Sequence, residues 1–109
     1  MEIVFFNEEV EIFVTKLEKP TIAKVLRTID LLERFEHQLG MPHSKNIDHS
    51  LFELRILGKQ EIRLIYTFHN NKAVILHGFI KKSQKIPKKE ITAAQQKLRT
   101  QKLRTLDKI

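Results

Sequence analysis

Apolar and polar residues alternate with a period of two across much of residues 51–80, and three short strands follow from that pattern. In 51–57, Phe52, Leu54 and Ile56 alternate with Glu53 and Arg55; in 61–68, Ile62, Leu64, Tyr66 and Phe68 alternate with Glu61, Arg63 and Thr67. Residues 73–79 are apolar on both faces, which predicts a strand covered more fully than its neighbours. The connection at 58–60 is of hairpin length, and HNNK at 69–72 carries paired asparagines that tolerate positive φ. The three strands should therefore run as an antiparallel meander.

Upstream the period lengthens. Residues 3–6 are β-branched and aromatic and predict a short first strand. Asn7 is placed as an N-cap, Glu8, Glu9 and Glu11 suit the positive end of a helix dipole, and Val10, Phe13, Val14 and Leu17 form a helical stripe over 8–18. Pro20 and Thr21 open a second helix whose stripe is Ile22, Val25, Leu26, Ile29, Leu32 and Leu39, with Gly40 and Pro42 ending it. So short a link predicts an antiparallel helical hairpin, and its apolar face needs the sheet as a partner.

The polar run MPHSKNIDHS at 41–50 reads as a loop, and Pro87 keeps the solvated segment 81–87 out of any central strand. Ile91, Ala94 and Leu98 predict a third helix from residue 90. The pentapeptide QKLRT at 96–100 repeats unchanged at 101–105. Each step of five residues rotates a helix by about 140°, so the leucines leave a common stripe and a frayed or tail-like end is expected. The pattern as a whole predicts an α+β fold: an N-terminal strand and helical hairpin on a small antiparallel sheet, followed by a C-terminal helix or tail. Residues 1–95 form the expected domain and 96–109 a basic extension.

Composition narrows the chemistry. A chain of 109 residues accommodates one modest core. With no cysteine, disulfides, thiolate metal sites and thiol catalysis are excluded, and a reducing cytoplasm is the natural compartment. The N-terminus lacks a signal-peptide pattern and no window approaches about 18 apolar residues, so an unprocessed cytoplasmic protein without membrane contact is expected. The net charge of +7 is unevenly placed: residues 1–80 carry 10 Lys and Arg against 11 Asp and Glu, while 81–109 carry 10 against 2. A basic segment beside a neutral body is either a solvated face or the footprint of a polyanion.

The groups able to act on such a partner are few. Arg55 and Arg63 project from the mixed face of neighbouring strands, with Lys59 in the turn between them. That face either pairs internally with Glu53 and Glu61 or cradles phosphate, which arginine binds in bidentate fashion. Lys81, Lys82 and Lys85 extend the same rim or form an ordinary charged loop. Tyr66 belongs to the core phase of its strand.

Of the histidines at 37, 43, 49, 69 and 77, none has zinc-ligand spacing or a carboxylate partner arranged in sequence, so no metal site is expected. His77 alone is expected in the sheet, as a satisfied residue or, if it shares the arginine face, as a proton-transfer group. There is no G-x-S-x-G, no H-E-x-x-H and no glycine-rich phosphate loop, glycine occurring only at 40, 58 and 78. No cofactor is expected.

Several runs in combination resemble one family: ELR at 53–55, IRLIY at 62–66, and ILHGFIKKSQKIPKKEI at 75–91 with Ala93 and Ala94 after it. They are similar to the RelE/ParE superfamily of toxins, above all its phage-derived, HigB-like branch, over residues 51–98. The resemblance implies a type II toxin–antitoxin system and a metal-independent endoribonuclease that cuts messenger RNA on the ribosome and inhibits translation.

It also implies a cognate antitoxin, often a helix-turn-helix protein, in a toxin–antitoxin hetero-oligomer. By the same resemblance Arg55 and Arg63 would neutralise the scissile phosphate, and Lys59, Lys81, Lys82 and Lys85 would hold RNA. Many active members place a Tyr or His near the C-terminus. Here nothing after His77 is either, which leaves His77, a lysine or no general acid/base. A ParE-like gyrase inhibitor and an inactive nucleic-acid or antitoxin-binding module are the alternatives.

Overall fold

The structure, a computed structural model, describes residues 1–107, with side chains through residue 104. In chain order it holds β1 (Glu2–Phe5), α1 (Glu8–Thr15), α2 (Lys19–Phe35), a 3-10 turn (Glu36–Gln38), β2 (Ser44–Asp48), β3 (Leu51–Ile56), β4 (Ile62–His69), β5 (Lys72–Ile80) and α3 (Lys88–Asp107). This is the α+β arrangement the pattern predicts, and it is compatible with a RelE-like fold. The five strands form one sheet in the order β1-β5-β4-β3-β2. β3, β4 and β5 make the expected antiparallel meander, while β1 lies parallel to β5 and makes the sheet mixed.

Local chemistry explains the helix starts. The Asn7 side chain accepts a hydrogen bond from the Val10 amide at 3.0 Å, and Glu8, Glu9 and Glu11 occupy the first turn of α1. Such a cap stabilises a helix by about 1 kcal/mol. Pro20 lies at the start of α2. That helix ends at Phe35 instead of running to Leu39, because Glu36 turns the chain through a φ of 54°. Leu39 reaches the core from the segment beyond.

The segment 41–50 is not all loop. Residues Ser44–Asp48 form β2, an edge strand pairing with β3 and interrupted by an irregularity between Asn46 and Asp48. Only Ser44 among its side chains is fully buried, so no buried alternating face exists to announce the strand. Ser44 Oγ lies 2.6 Å from Tyr66 Oη and gives that buried phenol its polar partner. Burial raises the Tyr66 pKa above its ordinary value, the hydrogen bond with Ser44 opposing it.

The sheet is covered on both faces. On one, the α1–α2 hairpin packs Val10, Val14, Val25 and Leu32 against Leu54, Ile62, Leu64, Tyr66 and Ile75. On the other, Ala94 and Leu98 of α3 join Leu51, Ile65, Val74, Leu76 and Phe79. The second face, on which the alternation places Arg55 and Arg63, is therefore partly roofed by a helix. α3 continues without a break through residue 96, and both QKLRT copies are helical; the tail-like end expected there is not found. Residues 108 and 109 lie outside the described residues.

One irregularity in β5 fixes the site. Ile65 pairs with His77 and Tyr66 with Ile75, so Leu76 is an extra residue opposite no partner. Such a bulge reverses the alternation beyond it. Ala73 and Ile75 face the hairpin, but His77 and Phe79 lie on the α3 face with Ile65 and Arg63. Gly78 consequently faces the hairpin, where a methyl group would stand 2.6 Å from Phe13 and 2.9 Å from Leu64. Among the described residues no helix is long and apolar enough to cross a membrane.

Candidate nucleic-acid interface and proton-transfer site

Arg55 and Arg63 are direct cross-strand partners in β3 and β4, as the alternation predicts. They pair internally with Glu53 and Glu61, one of the two readings of this face, but the face is covered and not solvated. The Arg63 side chain is only 1% exposed, where an open face was expected, because the sheet face it occupies is covered. It donates to the Ile62 carbonyl at 3.2 Å and to Glu61 Oε1 at 3.3 Å, and its Nε lies 3.8 Å from Glu53 Oε2. Arg55 remains 26% exposed, with Nε 3.5 Å from Glu53 Oε1 and a terminal nitrogen 3.5 Å from the Met41 thioether.

Glu53 thus sits buried between two guanidinium groups, close enough for attraction but too far for good hydrogen bonds. Glu53 Oε2, Arg55 Nε and Arg63 Nε are all buried without a hydrogen-bond partner. Of the pair, Arg55 alone presents its guanidinium outward. Arg63 lies behind it.

His77 is better satisfied. Its Nε2 lies 3.3 Å from Glu90 Oε1 and its Nδ1 lies 3.1 Å from Lys97 Nζ. An ammonium can only donate, so Nδ1 is the acceptor and the proton resides on Nε2, donated to Glu90. This is a neutral imidazole held from both sides by α3. Burial, followed by the Lys97 charge, pushes the His77 pKa below its ordinary value, against the opposing pull of Glu90 and of Glu9 from α1. Burial also lowers the Lys97 pKa, against Glu9 and Glu90. Glu90 and Lys97 are 13 and 20 residues from His77 in the chain, so the carboxylate partner that sequence spacing denied to His77 is supplied through space.

The remaining cations gather at one end of the sheet. The Lys81 amide donates to the Glu61 carbonyl at 2.8 Å, which ties the start of the 81–87 loop to the β3–β4 turn carrying Lys59. Lys82 lines a hollow of about 460 Å³ between β5, this loop and α3, together with Lys89, Phe79 and Glu90. Glu90 thus both holds His77 and forms part of the hollow's wall. Lys85 is exposed in the same loop, its carbonyl accepting from Ser83 Oγ at 2.7 Å.

The structure places His77 on the sheet face of Arg55 and Arg63, but no described hydrogen bond or ion pair joins it to them. Sequence reasoning missed Glu90, Lys97 and Lys89. For the first two the available signal was their common face on α3, since positions seven apart align along a helix.

The arrangement brings together a partly exposed guanidinium, a group of lysines at one end of the sheet and one imidazole with partners at both nitrogens. Among the described residues no group of three or more His, Asp or Glu is disposed to hold a metal ion. No curated protein matches the chain. The profile of a family described as phage-derived protein Gp49-like (DUF891), a toxin–antitoxin-associated family of RelE/HigB-like proteins, matches residues 13–99. With the meander, the 81–87 loop and the first half of α3 all inside that span, the chain belongs to the Gp49-like family.

Proposed function

We propose that this chain is the toxin of a type II toxin–antitoxin pair and cuts messenger RNA on the ribosome, thereby inhibiting translation. The observation that carries the reading is the position of Glu90: it fixes the neutral His77 imidazole and also lines a hollow rimmed by Lys82 and Lys89. Cations that attract a phosphate backbone and a group able to move a proton meet there.

In this reading Lys59, Lys81, Lys82 and Lys85 hold the RNA strand by its phosphates. Arg55 faces the scissile phosphate and offsets the charge that grows on its oxygens as the ribose 2′-oxygen attacks. Arg63 acts from behind, fixing Glu53 and through it the Arg55 guanidinium. An incoming phosphate competes with His77 Nδ1 for the Lys97 ammonium, and its capture frees Nδ1 to take the 2′-hydroxyl proton. The 2′-oxygen–phosphorus bond forms, the bond to the 5′-oxygen breaks, and the departing oxygen takes up a proton. The products are a 2′,3′-cyclic phosphate and a 5′-hydroxyl. The partner is an antitoxin, of the helix-turn-helix kind, in a hetero-oligomer, and the compartment is the cytoplasm.

Expression in a growing culture tests this. Translation should stop and messages should carry codon-phased breaks, with His77→Gln harmless and its messages whole. Growth arrest with intact messages and induced DNA-damage signalling would instead identify a gyrase poison. A harmless wild-type chain that still binds RNA would identify an inactive binding module.

A further inference from the structure

A second hollow, of about 250 Å³, opens between α2 and the end of β3. Its lining includes Lys24, Arg27 and Leu31 from α2, His43 from the segment before β2, Arg55 of β3, whose guanidinium pairs with Glu53 on the α3 face, and Leu57 just after β3. No carboxylate lines it. Among the described residues the Lys24 and Arg27 side chains make no ion pair. Lys24 and Arg27 stand three apart on one helix, where like charges are neighbours and repel. Two such cations lining one hollow with no carboxylate in its wall are a cost that a bound anion relieves.

The hollow also adjoins the basic rim. Lys24 reaches the β3–β4 turn: a methyl group at Gly58 would stand 2.5 Å from its Nζ. The cations therefore run from Lys81 and Lys82, tied to the turn by the Lys81 amide, past Lys59 to Lys24 and Arg27. A row of cations around a turn matches the regular spacing of charge on a single strand, and guanidinium groups match the paired oxygens of a phosphodiester. Leu31 and Leu57 supply an apolar floor for the face of a base.

We propose that the α2–β3 hollow is a phosphate-backbone site for single-stranded RNA, with Lys24 and Arg27 as its contacts, so that the strand wraps around the β3–β4 turn. The proposal rests on the RNA reading above. It adds α2 of the hairpin to the interface.

The test is fluorescence anisotropy of a labelled 2′-O-methyl oligonucleotide, which binds but cannot be cut, titrated with the full chain at several salt concentrations. Each lost phosphate contact lowers the slope of log K against log salt by about 0.7 for a single strand, so Lys24→Ala/Arg27→Ala should lower it by about 1.4 and weaken binding by on the order of tenfold at low salt. Gly58→Ala keeps every cation but displaces the Lys24 ammonium, and should fall between the double variant and wild type. Lys72→Ala, at the far end of β5, should match wild type. Wild-type slope and affinity in the double variant overturn the proposal while leaving the RNA reading intact. Loss of binding to an acidic, leucine-bearing antitoxin peptide with unchanged RNA affinity also overturns it and reassigns the hollow to protein. A wild-type chain that does not bind the oligonucleotide defeats the RNA reading itself.

Discussion

Two charged clusters share the α3 face of the sheet and are built on opposite principles. Around Glu53, Arg55 and Arg63 the charged groups are packed close, yet their contacts are long and three buried polar atoms lack hydrogen bonds. Around His77, Glu90 and Lys97 the groups are only partly buried, yet both ring nitrogens are satisfied, at 3.3 and 3.1 Å. A loosely satisfied guanidinium holds a field without changing its protonation. A well-satisfied titratable group holds a defined proton position that a ligand can disturb. In the proposed reaction the first cluster supplies charge and the second supplies proton transfer.

The largest expected effect separates them by stability. Arg63→Met leaves the buried Glu53 with Arg55 as its only ion-pair partner among the described residues, and removing one member of a buried ion pair costs about 3–5 kcal/mol. Urea denaturation measures it. Arg63→Met combined with Glu53→Leu should recover most of the loss, since an apolar replacement of the whole pair is often neutral. An Arg63→Met chain as stable as wild type would place the first cluster among surface charges and dissolve the contrast.

His77→Gln should do the reverse. Removing a positioned proton-transfer group lowers cleavage by about 10²–10⁴-fold, while the urea midpoint moves little because Gln retains polar contacts with α3. Equal losses of stability and cleavage would make His77 a structural residue.

A smaller effect lies in pH. Burial holds the His77 pKa below its ordinary value of 6.5, so on acidification the unfolded chain protonates this imidazole before the folded one does. The unfolded state then binds more protons, and stability falls as pH drops through the ordinary imidazole range, levelling off below the folded pKa. The stability difference between wild type and His77→Gln, measured from pH 8 to 5, should change across that window. A constant difference would mean the imidazole is not held neutral. The smallest effect belongs to the loop: Lys85→Ala should leave stability within about 0.5 kcal/mol and touch only RNA binding.

The meander and the hairpin were legible because their core residues keep strict periods: Leu54, Ile62, Leu64 and Tyr66 lie where the alternation places them. β2 was not, since an edge strand with mostly exposed side chains leaves no periodic trace. Arg63 was read as outward-facing because alternation assigns a residue to a face without saying what covers that face. The clue was present in Ile65, Val74 and Leu76, apolar residues on the same side that required a roof. α3 supplies it with a thin stripe, Ala94 and Leu98, that the charged repeat obscured.

His77 could not be aimed from sequence at all. One extra residue at Leu76 reverses the phase, and no local pattern marks a bulge in an apolar strand. Its partners Glu90 and Lys97 become visible only once α3 is laid beside β5.

The central claim is that this basic sheet end cuts messenger RNA through the 2′-hydroxyl. Adding the purified full chain to reconstituted translating ribosomes and mapping the ends of the message tests it most directly. The account predicts codon-phased breaks bearing 5′-hydroxyl and 2′,3′-cyclic phosphate ends, absent with His77→Gln; full-length message after incubation with wild-type protein would contradict it.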